Sequence, residues 1–243
     1  MGRPFSDITL YTPTPYSNDS PQYREDTSLE NFVSDLYVRK MNGYKPPNVT
    51  RVCIQPAYYK IWDRTWKNGS LISIAPEFLR DKYESLDKHG KYQYILDIIQ
   101  GAMIQLSEEY KWDKSIFEKA YLEVIENEFT FKIDYPTKMS RDKKKIANFY
   151  IEKSETKSFG YAIIRIGAST TKVKLFEKRN WYWYDGIYQL AKHAKWSDSD
   201  RFGIYYAKGA LEIWYSIGKK EVSLFEFGTE VKQVDFSRFF FLG

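Results

Sequence analysis

The 243-residue chain predicts an α+β protein in which antiparallel β-structure in two regions flanks a central helical hairpin. Three observations predict it. Apolar residues recur at helical spacing twice in succession between about 90 and 127, with only Lys111-Trp112-Asp113 as a corner between the two runs. Segments with strand-like composition lie on both sides of that pair, from Val49 to Ala75 before it and from Phe129 to Phe227 after it. The connections at Asn68-Gly69, Gly167, Lys208-Gly209 and Gly218-Lys219-Lys220 are tight, which suits antiparallel pairing because parallel strands need long crossovers.

Pro4, Pro13 and Pro15 punctuate a polar opening that has neither a basic start nor an apolar run, so no signal peptide is expected. Thr27 with Glu30 three residues on makes a capping box, and Phe32, Val33, Leu36 and Tyr37 continue a short amphipathic helix towards Gly43. Pro46-Pro47 breaks it. Val49–Gln55, Tyr58–Trp66 and Leu71–Ala75 then read as β, with a hairpin turn at Asn68-Gly69. Pro76-Glu77 can open a further helical stretch, ending where His89 precedes Gly90. Tyr94, Ile95, Ile98, Ile99, Ala102, Met103 and Leu106 share one helix face, Asp113 caps the next helix, and Ile116, Phe117, Ala120, Tyr121, Val124 and Ile125 repeat the spacing to Asn127. Beyond Glu128 the period becomes two, with a short helix expected within Asp185–Ala194.

This change of period divides the chain into 1–135, an N-terminal α+β half, and 136–243, a β-rich C-terminal half, expected to pack together as one globular unit. A weak internal echo links Phe159-Gly160 through Ile166-Gly167, plus Val173–Glu177, with Phe202-Gly203 through Ile217-Gly218, plus Val222–Glu226.

Composition narrows the function. Hydrophobic residues are 43% and charged residues 28%, enough for a packed core, and no run approaches the roughly 18 apolar residues of a membrane span. The single cysteine, Cys53, can form neither an intrachain disulfide nor a zinc site of cysteines; a lone thiol suits a reducing compartment, so the expected location is cytoplasmic. No Gly-x-Gly-x-x-Gly, P-loop or Gly-x-Ser-x-Gly occurs, and no cofactor is expected. Charge is uneven: 17 basic and 20 acidic residues over 1–137, 12 and 4 over 138–180, and 8 and 8 over 181–243.

Few residues offer chemistry. His89 reads as a cation at a helix C-terminus, and His193 has no nucleophile beside it in a recognisable arrangement. Asp198-Ser199-Asp200 could present two carboxylates to a divalent ion, although such runs are also what turns are made of. Lys143-Lys144-Lys145, with Lys138 and Arg141, reads as a solvated loop. The most unusual stretch is Lys178-Arg179-Asn180-Trp181-Tyr182-Trp183-Tyr184, in a chain that is 18% aromatic. In a strand, Trp181 and Trp183 share one face and Tyr182 and Tyr184 the other. Three readings stand: a strand buried on both sides, a protein-contact hot spot, or a stacking platform for bases or sugars.

Ile72-Ser73-Ile74-Ala75-Pro76-Glu77-Phe78-Leu79, the helix over Ile95–Leu106, Lys111-Trp112-Asp113, the second helix and Lys138-Met139-Ser140 together resemble immunity proteins paired with bacterial polymorphic toxins. The resemblance covers about residues 70–150 and is architectural; it transfers no site residue. It implies a cognate toxin as partner. Immunity partners of nuclease toxins are commonly acidic, whereas this chain is +5, so the resemblance implies either another kind of toxin or a contact confined to the acidic first 137 residues.

The leading expectation is therefore a cytoplasmic protein that neutralises a toxin by direct binding, with Trp181, Trp183 and Tyr184 as contacts and Lys178 and Arg179 on the rim. A nucleic-acid or glycan-binding module on the same aromatic and basic patch is the second. An enzyme using His193 with Asp198 or Asp200 is the third.

Overall fold

The computed structural model describes residues 7–18, 20–61, 65–180 and 187–239. Helix is 33% and strand 34%, an α+β protein, divided into two compact units, Met1–Thr130 and Phe131–Gly243. The division precedes the 135/136 boundary read from sequence because the strand beginning at Phe131 already belongs to a C-terminal sheet.

The N-terminal unit contains β1 (Asp7–Leu10), α1 (Pro21–Lys40), β2 (Arg51–Ile54), β3 (Trp66–Asn68), β4 (Leu71–Ile74), α2 (Arg80–Ser85), α3 (Lys88–Tyr110) and α4 (Lys114–Glu126). Its sheet runs β1-β2-β4-β3 and is mixed: β1 pairs β2 and β2 pairs β4 in parallel, and only β3 is antiparallel to its neighbour. This corrects the antiparallel expectation for the region. The reason is β1, four residues hidden in the proline-punctuated opening, whose connection to β2 runs through α1 and so gives the long crossover that parallel pairing needs.

One face of that sheet, Ile8, Leu10, Val52, Ile54, Ile72 and Ile74, is at most 3% exposed. Leu29, Val33, Leu36 and Tyr37 of α1, with Ile95, Ile99, Met103 and Leu106 of α3, complete the core. α1 starts earlier than the capping box suggested. Ser20 is the N-cap, accepting from the Tyr23 N–H at 3.1 Å, and Pro21 takes the first helical position, where its missing N–H costs nothing. Thr27 and Glu30 lie inside the helix and are buried.

His89 and Gly90 begin α3 and do not end a helix, because Asp87 caps the Gly90 N–H at 2.8 Å. The helical pair itself follows the sequence. Lys111 adopts φ +57° to close α3, and Asp113 accepts from the Ser115 N–H to open α4. α4 ends in two left-handed residues, Glu128 and Phe129, which turn the Phe129 ring against Tyr92 at 5.2 Å and His89 at 5.5 Å.

The C-terminal unit contains β5 (Phe131–Asp134), β6 (Lys138–Met139), β7 (Lys145–Lys153), β8 (Lys157–Ile166), β9 (Ser169–Arg179), α5 (Tyr188–Ala191), β10 (Ala194–Trp196), β11 (Arg201–Tyr206), β12 (Leu211–Ser216), β13 (Glu221–Glu226) and β14 (Thr229–Val231). They form two antiparallel sheets, β5-β7-β8-β9 with β6 on β7, and the meander β10-β11-β12-β13-β14. Phe149, Ile164 and Phe176 of the first and Phe202, Ile204 and Ile213 of the second belong to one core, with Leu190, Phe236 and Phe239 in the same cluster.

The internal echo does not correspond to a repeated unit. Its first Phe-Gly to Ile-Gly span lies along β8, whereas the second runs through both β11 and β12. The two glycines are required by different neighbours. The Phe176 ring occupies the space beside Gly160, and the Ile213 carbonyl occupies that beside Gly203.

Candidate functional site

Trp181, Trp183 and Tyr184 lie outside the described residues. The two cations before them are separated by the strand itself. β8 and β9 slip register between Gly160 and Tyr161, so Leu175 is inserted as a bulge and the alternation of β9 changes phase. After the bulge, Lys178 pairs with Ser158 on the buried face and is 8% exposed, its ammonium donating to the Arg179 carbonyl at 3.0 Å. Arg179 faces outwards and is exposed. A shared rim for the pair is thus not what the strand provides.

His193, Asp198 and Asp200 are drawn into local structure. The His193 ring stands edge-on to Tyr206 at 5.0 Å. Asp198 accepts from the backbone N–H groups of Asp200 and Arg201, both at 2.8 Å, and from the Arg201 guanidinium at 2.8 Å. Partial burial works against ionisation there, yet these donors hold its pKa down to about 2. Asp200 instead accepts from the Ser216 hydroxyl and the Gly218 N–H. Among the described residues no group of three or more His, Cys, Asp or Glu side chains is arranged to hold a metal ion. Of the lysine run 143–145, Lys143 and Lys144 lie in the β6–β7 turn and Lys145 opens β7; Asp142 accepts from the Lys144 N–H and the Ser140 hydroxyl from the Lys145 N–H.

Two features went unread in the sequence. The first is the edge of the N-terminal sheet. Gly69, with φ +59°, turns β3 back onto β4, placing Trp66 opposite Ser73 and Asn68 opposite Leu71 on the face away from the Ile72 side. Trp66 is 56% exposed and Leu71 42%. Beyond β2, the turn after Gln55 presents Tyr58 and Tyr59, each 43% exposed, and Ile61, 72% exposed. On the other face, Lys67 lies over the Tyr110 ring at 5.3 Å and the Thr65 hydroxyl donates to Glu109, fastening the hairpin to the end of α3. The strand expected over Tyr58–Trp66 is instead a turn at Pro56–Tyr58, and β3 begins only at Trp66.

The second is a buried polar cluster around the N-terminal half of α1. Asp26 and Glu30, one turn apart, are 2% and 4% exposed. Asp26 accepts from Arg80 Nη2 at 2.9 Å, from Gln22 at 3.2 Å and from the Tyr83 hydroxyl at 3.5 Å. Arg80 also binds Glu84 at 2.7 Å and the Pro13 carbonyl at 3.3 Å. Glu30 takes a hydrogen bond from the Thr12 hydroxyl, and burial raises its pKa to about 8. Two carboxyls with environments this different are what acid–base chemistry uses, but their oxygens are closed in by α1, α2 and the segment after β1. The cluster ties those three segments together.

The fold and these surfaces define an α+β protein with an exposed apolar sheet edge in one unit and paired antiparallel sheets in the other. No protein-family model, no curated protein and no solved structure matches the chain.

Proposed function

We propose that the chain is a protein-binding protein, an immunity factor that neutralises a cognate toxin in the bacterial cytoplasm by direct contact. The observation that carries this reading is a set of exposed apolar side chains in the N-terminal unit, Trp66 and Leu71 on the β3–β4 hairpin at the sheet edge and Tyr58, Tyr59 and Ile61 in the turn after β2. Large apolar side chains scattered singly on a surface mean little, but five within fourteen residues, with tryptophan and two tyrosines among them, have the composition of a contact hot spot. An edge strand also offers backbone groups on which a partner can add a strand. The edge belongs to a unit with 16 basic and 19 acidic residues, which favours a partner with a basic rim. The Trp181, Trp183 and Tyr184 run with Arg179 is the second candidate contact in the same reading.

The test is capture of the chain at native expression level, with mass spectrometry and size exclusion of what accompanies it, followed by expression of that companion alone and with the chain. A stoichiometric companion that is toxic alone and harmless with the chain is the expected result. Trp66→Ala and Ile61→Asp are expected to weaken the complex by at least about 30-fold, as loss of a hot spot does. A chain that elutes alone, or a companion without toxicity, overturns the immunity reading; full protection by both variants moves the contact to the Trp181 run.

A further inference from the structure

The outer face of the β5-β7-β8-β9 sheet carries a row of rings covered by lysines. Tyr150 of β7 stacks on its cross-strand neighbour Tyr161 of β8 with ring centres 5.0 Å apart and planes at 17°, and Phe159 follows at 6.3 Å. Lys172 stands 4.3 Å from the Tyr161 ring centre and 5.4 Å from that of Tyr150, Lys132 stands 4.7 Å from Tyr150, and Lys174 stands 5.8 Å from Phe159. The Gly160/Tyr161 register slip is what lets Lys172, Lys174 and then Arg179 all project from this one face. Tyr150 is buried beneath the lysines, while Tyr161 and Phe159 are half-buried.

Glu152 reaches Lys172 at 3.5 Å, and Glu177 is shared by Lys157 and Lys174. These are exposed pairs of the kind that contributes little and yields to a stronger anion. The unit as a whole has 21 basic and 13 acidic residues. A sheet face with a cationic surplus and rings at its centre is complementary to a chain of phosphates that also carries unpaired π-faces. A duplex keeps its bases stacked inside and offers those rings nothing, and a peptide of Asp and Glu offers charge without aromatic faces.

We propose that this face binds single-stranded nucleic acid: Lys172 and Lys174 swing off the Tyr161 and Phe159 rings onto phosphates, Arg179 holds a further phosphate, and bases stack on the ring faces so uncovered. The proposal is independent of the partner-protein reading at the N-terminal edge, because its residues all belong to the other unit.

The experiment is fluorescence anisotropy of a labelled oligo-dT of about 15 nucleotides, titrated with the full chain across a salt series, with the matching duplex and poly-glutamate as competitors. Single strands are expected to bind in the micromolar range at low salt and to be favoured over duplex. Lys172→Gln with Lys174→Gln should lower the slope of log affinity against log salt by about 1.4, two lost phosphate contacts. Tyr161→Leu should weaken binding at least about fivefold with the slope unchanged. Tyr161→Phe keeps the ring and should bind as wild type, separating stacking from any damage to the fold. Absence of saturable binding, equal affinity for duplex, or displacement by poly-glutamate at equal charge concentration each overturns the proposal.

Discussion

Arg80 at the start of α2 donates to Asp26 in α1 at 2.9 Å, and the Asp26 side chain that receives this bond is 3% exposed while that of Arg80 is 17% exposed. Taking one partner away leaves the other charge in a site with little water, which is far costlier than loss of a surface pair. Arg80→Ala is expected to lower unfolding free energy by about 3 kcal/mol, the lower end of the usual range because the guanidinium retains some solvent. Urea denaturation reads this as a drop in midpoint at constant slope. A loss below about 1 kcal/mol would place the pair among ordinary surface bridges.

Glu30 sets a pH dependence of definite sign. Burial raises its folded-state pKa to about 8 from the ordinary 4.5, so above pH 4.5 the folded protein holds a proton that the unfolded chain has released. Its contribution is fully present below about 4.5 and is lost as pH rises to about 8, by at most about 1.4 kcal/mol per pH unit. Glu30→Gln removes that slope while keeping an acceptor for the Thr12 hydroxyl. Denaturation at pH 5, 6.5 and 8 should show the variant gaining on wild type as pH rises; parallel curves would mean that Glu30 is ionised in the folded state.

The two Phe-Gly pairs give a graded test of packing. A Cβ on Gly203 would lie 1.8 Å from the Ile213 carbonyl oxygen, a backbone atom of the paired strand, whereas one on Gly160 would lie 2.3 Å from the Phe176 ring. Backbone in a central ladder has nowhere to move, while a ring can rotate away at some loss of core contact. Gly160→Ala is expected to cost about 1–3 kcal/mol, and Gly203→Ala more than that, up to failure to fold. Equal losses would show that the β11–β12 ladder is able to open.

What the sequence made legible follows from how local each cause is. The α3–α4 pair was readable because its caps, corner and apolar faces lie within a few residues of one another, Asp113 included. β1 was not, because four residues acquire strand identity only from Arg51–Ile54, more than forty positions away. Thr27 and Glu30 looked like a cap because the pattern was right, but Ser20-Pro21 won the helix start and left Glu30 to meet Thr12. The hairpin turn at Asn68-Gly69 was legible, but its exposure at the sheet edge was not, for a related reason. Trp66 and Leu71 have a strand's composition, and only the sheet order shows that β3 sits at an edge.

Lys178 and Arg179 illustrate the same limit and lead to a separable outcome. Neighbours on a strand face opposite ways, so both cannot serve one surface, and the Leu175 bulge decides that Arg179 is the outward one. Lys178 runs its methylene stem through the interior and ends on the Arg179 carbonyl. Lys178→Ala should therefore lose packing and lower stability by about 2 kcal/mol. Arg179→Ala should leave stability within about 0.5 kcal/mol, as exposed substitutions do, while weakening whichever ligand the outer face holds. Thermal unfolding and oligonucleotide anisotropy on the two variants measure both effects. If Lys178→Ala impairs binding at full stability and Arg179→Ala does neither, β9 carries the opposite phase and the outer face is misassigned.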